Sequence, residues 1–282
     1  MSEPPTPSAK ALRTRSVARI DGDGLTRRAL ELVAEAPLEI RVSGEALAVT
    51  MRTPGHDREL ALGFLFAEGI VRDIDDVGSV AHCGRTGDPR RENVIDVIAA
   101  PGVVFDLERT EASRRGTITT SACGACGRAS IDDLLASAPS VETPRPLSLD
   151  EIGPMLSHLR ASQPVFARSG GCHGAALFEA ASLTHVATYE DLGRHNAIDK
   201  LLGARLLARK DLERVSRTRP LAGGVLVVSG RSSFEVVHKA LVGGAGALVA
   251  LGAPSDLAAD MAERAGLPLY GFAKPDGAER YA

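Results

Sequence analysis

The chain has 282 residues, 44% of them hydrophobic and 24% charged, with no tryptophan and a formal net charge of −3. This composition suits one large or two modest globular domains whose core is built from leucine, valine, isoleucine and alanine. The charge gives no global attraction to nucleic acid or an anionic membrane, so any basic binding surface has to be local. Four cysteines in so long a chain do not make a disulfide framework.

The opening MSEPPTPSAKALRTRS lacks a signal-peptide core and reads as a disordered lead-in over residues 1–16. From Leu38 to Met51 two strand patterns meet at Ser43-Gly44, a hairpin signal. Thr53-Pro54-Gly55 then turns the chain into a helix with Leu60, Leu62, Phe64, Leu65 and Ile70 on its apolar face, ending near Gly69. Asn93 to Ala99 alternates as a strand, and the whole stretch 17–115 reads as an α+β N-terminal domain. Glu108 to Arg115 reads as a charged surface loop, and Ile131 to Ala136 as a short helix capped by Ser130. Residues 116–148 form a mobile loop and a proline-rich connector in this reading.

The remainder, 149–282, alternates helix and strand signals. A helix is expected over Leu149 to Ser162, a strand opening at Val165-Phe166, and a turn at Ser169-Gly170-Gly171. A strand pair at Gly174–Glu179 and Leu183–Tyr189 leads to a helix over Asn196–Arg209. Strands at Val225–Ser229, Ala247–Leu251 and Leu267–Phe272 then enclose helices at Ser233–Val242 and Asp256–Ala265. The expected fold class is α/β, with a three-layer C-terminal domain beside the smaller α+β domain. No apolar run reaches membrane-spanning length, so the expected setting is cytoplasmic, without membrane or nucleic-acid partners.

Two cysteines, Cys123 and Cys126, form a C-x-x-C flanked by Gly124 and Gly127. Arg128 and the helix expected downstream both favour the thiolate. Redox exchange, half of a zinc site completed by Cys83, Cys172 or a histidine, and sulfur carriage all suit that spacing. A zinc nucleobase deaminase is excluded, because the chain has no H-x-E or C-x-E and Ala122 stands where the motif needs proline. Three further stretches are candidate ligand contacts. Gly193-Arg194-His195-Asn196 opens a helix and suits an anion. Ser229-Gly230-Arg231 follows a buried strand, where open α/β sheets bind ligands. Gly170-Gly171-Cys172-His173 and the tail Phe272-Ala273-Lys274-Pro275-Asp276-Gly277 are weaker signals.

Taken in order, Thr53 to Ile70, Cys123-Gly-Ala-Cys126-Gly, Gly170-Gly171-x-His173, Gly193 to Lys200 and Ser229-Gly-Arg-x-Ser-x-Glu235 resemble the formate dehydrogenase accessory sulfurtransferase family. The resemblance covers nearly all of the chain from Pro37 to Tyr281. It implies a homodimeric sulfurtransferase whose C-terminal domain has the cytidine-deaminase-like fold without its zinc. Sulfur would pass as a persulfide from a cysteine desulfurase to the molybdenum cofactor, Mo-bis(molybdopterin guanine dinucleotide), for use by formate dehydrogenase. Cys123 would carry the persulfide and Cys126 would accept it or help release it. Arg194, His195, Asn196, Ser229, Gly230, Arg231 and Phe272 to Gly277 would bind the cofactor, which is a substrate here, with no resident metal. The tail departs from the family pattern, with Lys274 in place of the usual arginine, a point charge instead of a bidentate fork. The alternative is a non-catalytic cofactor-binding chaperone with structural or zinc-bound cysteines.

Overall fold

Alternation of apolar and polar residues from Ala36 to Arg52 produces two antiparallel strands, β3 (Ala36–Val42) and β4 (Glu45–Arg52). Ser43 and Gly44 both take positive φ at the turn between them, 51° and 88°, the mirror-image geometry favoured in two-residue hairpins. The computed structural model describes residues 8–22, 24–84, 91–107, 139–210 and 219–282. The C-x-x-C, the loop read at Glu108–Arg115 and the helix read at Ile131–Ala136 lie outside these residues.

Ahead of β3 stand β1 (Leu12–Asp21) and β2 (Gly24–Val33), a two-stranded ribbon paired along its whole length. Residues 12–16 therefore belong to a strand, not to the lead-in expected from sequence. Both faces of the ribbon are largely exposed, so it carries no buried stripe that would mark it as strand. Among the described residues its base is anchored, where Leu12 and Val33 pack with Ala11, Val165, Cys172 and Phe166.

The helix α1 (Asp57–Ala67) forms where expected, and β5 (Val77–His82) and β6 (Val94–Ala99) complete a four-stranded sheet in the order β4-β3-β6-β5. Leu38, Ile40, Val42, Ile95 and Val97 face the apolar side of α1 in one core. At the start of α1, Asp57 accepts from Arg52 Nε and Nη2, both at 2.9 Å, and lies 3.3 Å from His82 Nε2. Burial alone would raise this carboxyl, but His82 and Arg52 outweigh it and hold it at about 2.

The second half opens with α2 (Leu149–Ala161) and α3 (Pro164–Ser169). The strand expected at Val165-Phe166 is thus a helical turn: Pro164 stands in its first turn and Gly170 closes it in the left-handed region, φ 66°. Then follow β7 (His173–Phe178), β8 (His185–Asp191), α4 (Arg194–Lys210), β9 (Val225–Val228), α5 (Phe234–Gly243), β10 (Ala247–Ala250), α6 (Asp256–Ala265), β11 (Leu269–Lys274) and β12 (Gly277–Arg280). The strands form one six-stranded sheet, ordered β12-β11-β10-β9-β7-β8. Its alternate residues divide cleanly between two cores. Leu226, Val228, Leu248 and Leu269 meet α4, α5 and α6 on one face. Val225, Val227, Val249 and Tyr270 meet α2 on the other. The molecule is a mixed α/β protein.

The two halves meet where α1 crosses α4. A Cβ added to Gly63 would lie 1.8 Å from the Asp199 carbonyl oxygen, and one added to Gly203 would lie 1.9 Å from that of Glu59. Glycine at both positions lets the two backbones touch. Gly63→Ala and Gly203→Ala should each lower the unfolding free energy by about 2 kcal/mol or more, by forcing the helices apart. Urea unfolding midpoints test this, with Gly22→Ala as the control because nothing lies within 4 Å of its Cβ position. A Gly63→Ala variant that unfolds with the wild type would disprove the contact.

Candidate functional site at the carboxyl edge of the sheet

Strand direction brings the separate motifs together. Strand β7 is antiparallel to both β8 and β9, while β9, β10 and β11 are mutually parallel. The carboxyl ends of β8, β9, β10 and β11 therefore share one edge with the start of β7. Along that edge lie Gly193–Asn196, Ser229–Arg231, Gly252–Ser255, Phe272–Lys274 and Gly170–His173. Their loops are laced by backbone hydrogen bonds: Gly252 N donates to Gly230 O at 3.0 Å, Phe272 N to Gly252 O at 3.1 Å and Ser232 N to Ala253 O at 3.1 Å.

The four residues of Gly193–Asn196 have divergent tasks. Asn196 is buried and its side chain is fully engaged: Nδ2 donates to Met51 O at 2.8 Å and Asp191 Oδ1 at 3.1 Å, and Oδ1 faces the Thr50 hydroxyl at 3.3 Å. His195 is buried between Ser233 and Glu235. Arg194 differs from both, because its buried Nε has no hydrogen-bond partner among the described residues. A buried donor left without an acceptor is costly, and an anion at this edge would satisfy it.

Next to Arg194 sits Gly230. A Cβ there would lie 3.3 Å from His173 Nδ1 and 3.4 Å from Arg194 Cδ, so a side chain would crowd the approach between those groups. Ser229 secures this turn, its Oγ accepting from Gly174 N at 2.8 Å. Arg231 is exposed, and neither arginine has a carboxylate at ion-pair distance among the described residues. Burial, then the positive charge of Arg194, push the His173 pKa below its ordinary value; Asp191 opposes them, and Arg231 adds the smallest push downward. Among the described residues the edge thus carries two arginines without a paired carboxylate, beside an imidazole whose charged form is disfavoured.

The tail of β11 completes the edge. Phe272 has φ 49°, unusual for a residue with a side chain, and the residue is 50% exposed. Ala273 turns back into the core, Lys274 is exposed, and Pro275-Asp276 make the turn to Gly277, which opens β12. A cavity of about 280 Å³ lies under the same edge on the α2 face, lined in part by Gln163, Phe166, Cys172, His173 and Ser229. Gln163 is 3% exposed and its Nε2 has no partner among the described residues. Nothing in the sequence distinguishes this glutamine, whose importance comes only from the cavity it lines.

Among the other cysteines, Cys83 is partly exposed and Cys172 is buried, and both are free thiols. Burial pushes the Cys172 thiol up to about 12, against a weaker pull from the Thr53 hydroxyl, so it is a poor nucleophile. The described residues contain no cluster of three or more His, Cys, Asp or Glu able to hold a metal ion. No helix among them is long and apolar enough to cross a membrane.

An anion that neutralises Arg194 and Arg231 removes part of what depresses the His173 pKa, so binding should be accompanied by proton uptake. Affinity for inorganic pyrophosphate should therefore rise as pH falls through the histidine range, and His173→Gln should flatten that dependence. Calorimetric titrations from pH 8 to about 5.5 test this. A slope unchanged in His173→Gln would remove His173 from the site.

Residues 33–282 match the model of the FdhD/NarQ family. The chain is 45% identical over 274 residues to the sulfur carrier protein FdhD of Anaeromyxobacter dehalogenans strain 2CP-C, covering 97% of this chain and 93% of the relative. It is 45% identical over 274 residues to the protein of that name from Streptomyces coelicolor, covering 95% and 93% of the two chains. Against the one from Mycobacterium tuberculosis it is 41% identical over 278 residues, covering 95% of both. A crystal structure described as that of a formate dehydrogenase accessory protein, from Desulfotalea psychrophila, superposes with a TM-score of 0.70 at 21% identity, covering 96% of each chain, and shows the same fold. From its third strand to its last residue, this chain belongs to the FdhD/NarQ family.

Proposed function

We propose that the protein is a sulfurtransferase that carries persulfide sulfur from a cysteine desulfurase to the molybdenum cofactor, Mo-bis(molybdopterin guanine dinucleotide), in support of formate dehydrogenase. Support comes from relatives of 40–45% identity that bear the name sulfur carrier protein FdhD. The observation that carries the reading is the convergence of Arg194, Arg231, His173 and Phe272 on one sheet edge. In this reading the six-stranded sheet with helices on both faces is the cytidine-deaminase-like layer, and the protein works as a cytoplasmic homodimer.

The Cys123 thiolate attacks the terminal sulfur of the donor's persulfide, and the donor cysteine leaves as a thiolate. Cys126 then attacks the inner sulfur, Sγ of Cys123, forming a disulfide and releasing hydrosulfide toward the soft metal. Arg194 and Arg231 oppose the charge of a pyrophosphate, and Gly230 keeps the approach open. The Phe272 ring is free to stack on a guanine, while Lys274 adds a point charge beside the Pro275-Asp276-Gly277 turn. Asn196 and Ser229 hold the loops in place from behind, and His195 is fixed between two side chains.

Incubation with a cysteine desulfurase and cysteine, followed by intact mass, should show one added sulfur on the wild type and none on Cys123→Ser. A Cys123→Ser variant loaded to the wild-type level would overturn the carrier assignment, and stoichiometric zinc in the purified protein would favour a cofactor-binding chaperone. Arg194→Ala and Arg231→Ala should each weaken guanosine diphosphate binding by about tenfold, the loss expected for one charge-assisted hydrogen bond. Unchanged affinity in both would move the nucleotide elsewhere.

A further inference from the structure

Two of the signature stretches donate side chains to a constellation that sulfur carriage does not use. Ser233 Oγ lies 3.1 Å from His195 Nε2, and His195 Nδ1 lies 3.4 Å from Glu235 Oε2. Ser233 occupies the N-cap position of α5, where a serine ordinarily accepts from the first helical N–H groups, yet its side chain makes no such bond. Ser255, at the same position of α6, does accept from Ala258 N, at 3.3 Å. The Ser233 hydroxyl is instead paired with the imidazole, while the residue itself is half-buried at the carboxyl edge. His195 is 6% exposed. Lys239 Nζ lies 3.5 Å from the other Glu235 oxygen and bonds both carboxylate oxygens of Asp199, at 2.5 and 2.6 Å. The carboxylate behind the histidine is therefore held from two sides.

We propose that Ser233 is an activated nucleophile, with His195 as its general base and Glu235 as the carboxylate that orients that base, and that it opens esters of small anionic acids. Hydroxyl, imidazole and carboxylate stand in the order such chemistry requires, with distances typical of an unliganded site. Arg194 and Arg231, chain neighbours of His195 and Ser232, attract the anionic substrate. Oγ attacks the ester carbonyl carbon as its proton passes to His195 Nε2, and Glu235 holds the Nδ1–H of the imidazolium. The tetrahedral adduct expels the alcohol, which takes the proton from Nε2. Water then attacks the acyl-serine, giving its proton to Nε2. Collapse returns that proton to Oγ and frees the acid. Ser233 is the N-cap of α5, so the positive dipole end of that helix lies beside the attacking oxygen. Ester and water are the only reactants. Glu235 is a positioning residue in this scheme, acting through His195.

The test uses the full chain and a fluorophosphonate, which phosphonylates an activated serine with loss of fluoride. Intact mass and peptide mapping should find one adduct, on Ser233, and none in Ser233→Ala. Glu235→Gln should slow labelling by about a hundredfold and shift the pH at which labelling falls off, a change that a purely structural residue would not produce. Hydrolysis of a p-nitrophenyl ester should follow the same pattern. Thermal unfolding and guanosine diphosphate binding, measured on the same variants, separate a misfolded protein from an inactive serine. A folded wild type that gains no adduct, an adduct that persists in Ser233→Ala, or a Glu235→Gln rate and pH profile equal to wild type would each overturn the proposal.

Discussion

Lys200 and Asp191 form an ion pair 2.7 Å long and almost wholly buried, and both halves of the molecule are assembled around it. Removing two charges from water is expensive, and the interior tolerates them only when their remaining bonds are made. Here they are. The Asp191 carboxylate also accepts from Thr53 N at 3.0 Å, Gly193 N at 2.9 Å and Asn196 Nδ2 at 3.1 Å. The lysine donates in addition to Thr53 O at 2.9 Å and Glu190 O at 3.3 Å. One carboxylate thus joins the end of β8, the first turn of α4 and the turn that leads into α1. The loop that presents Arg194 takes its shape from this knot.

The same arrangement explains how a chain of slightly negative charge builds a positive edge. Aspartates and glutamates close to the edge are committed elsewhere: Asp191 to Lys200, Glu190 to the backbone N–H groups of Val165 and Phe166, and Asp199 to Lys239. Among the described residues, no carboxylate stands at ion-pair distance from either arginine. Parallel strands ending at one edge, crossed by glycine turns, place those charges side by side without a long loop.

Much of the fold is legible in the residue pattern. Strands β7, β9 and β10 are short and buried on both faces, so continuous apolar runs such as VLVV identify them. The ribbon β1–β2 escapes notice because arginines line it and neither face is buried. Val165-Phe166 has strand-like residue types, but the flanking Pro164 and Gly170 carry more information and make a helical turn. Within the site, pattern alone locates the segments and does not sort their side chains. Arg194 and Asn196 belong to one motif and look equally suited to a ligand, yet among the described residues only the arginine is left with an unmet donor, because Asn196, like Lys200, faces the other half of the chain. That distinction depends on Met51 and Thr53, more than 140 positions earlier.

The contact of α1 with α4 has a mechanical consequence. Where side chains separate two helices they can slide or tilt by changing rotamers, but backbones in contact at Gly63 and Gly203 have no such compliance. Sliding of one helix over the other at this contact would have to separate the backbones themselves, which a change of rotamer cannot accommodate.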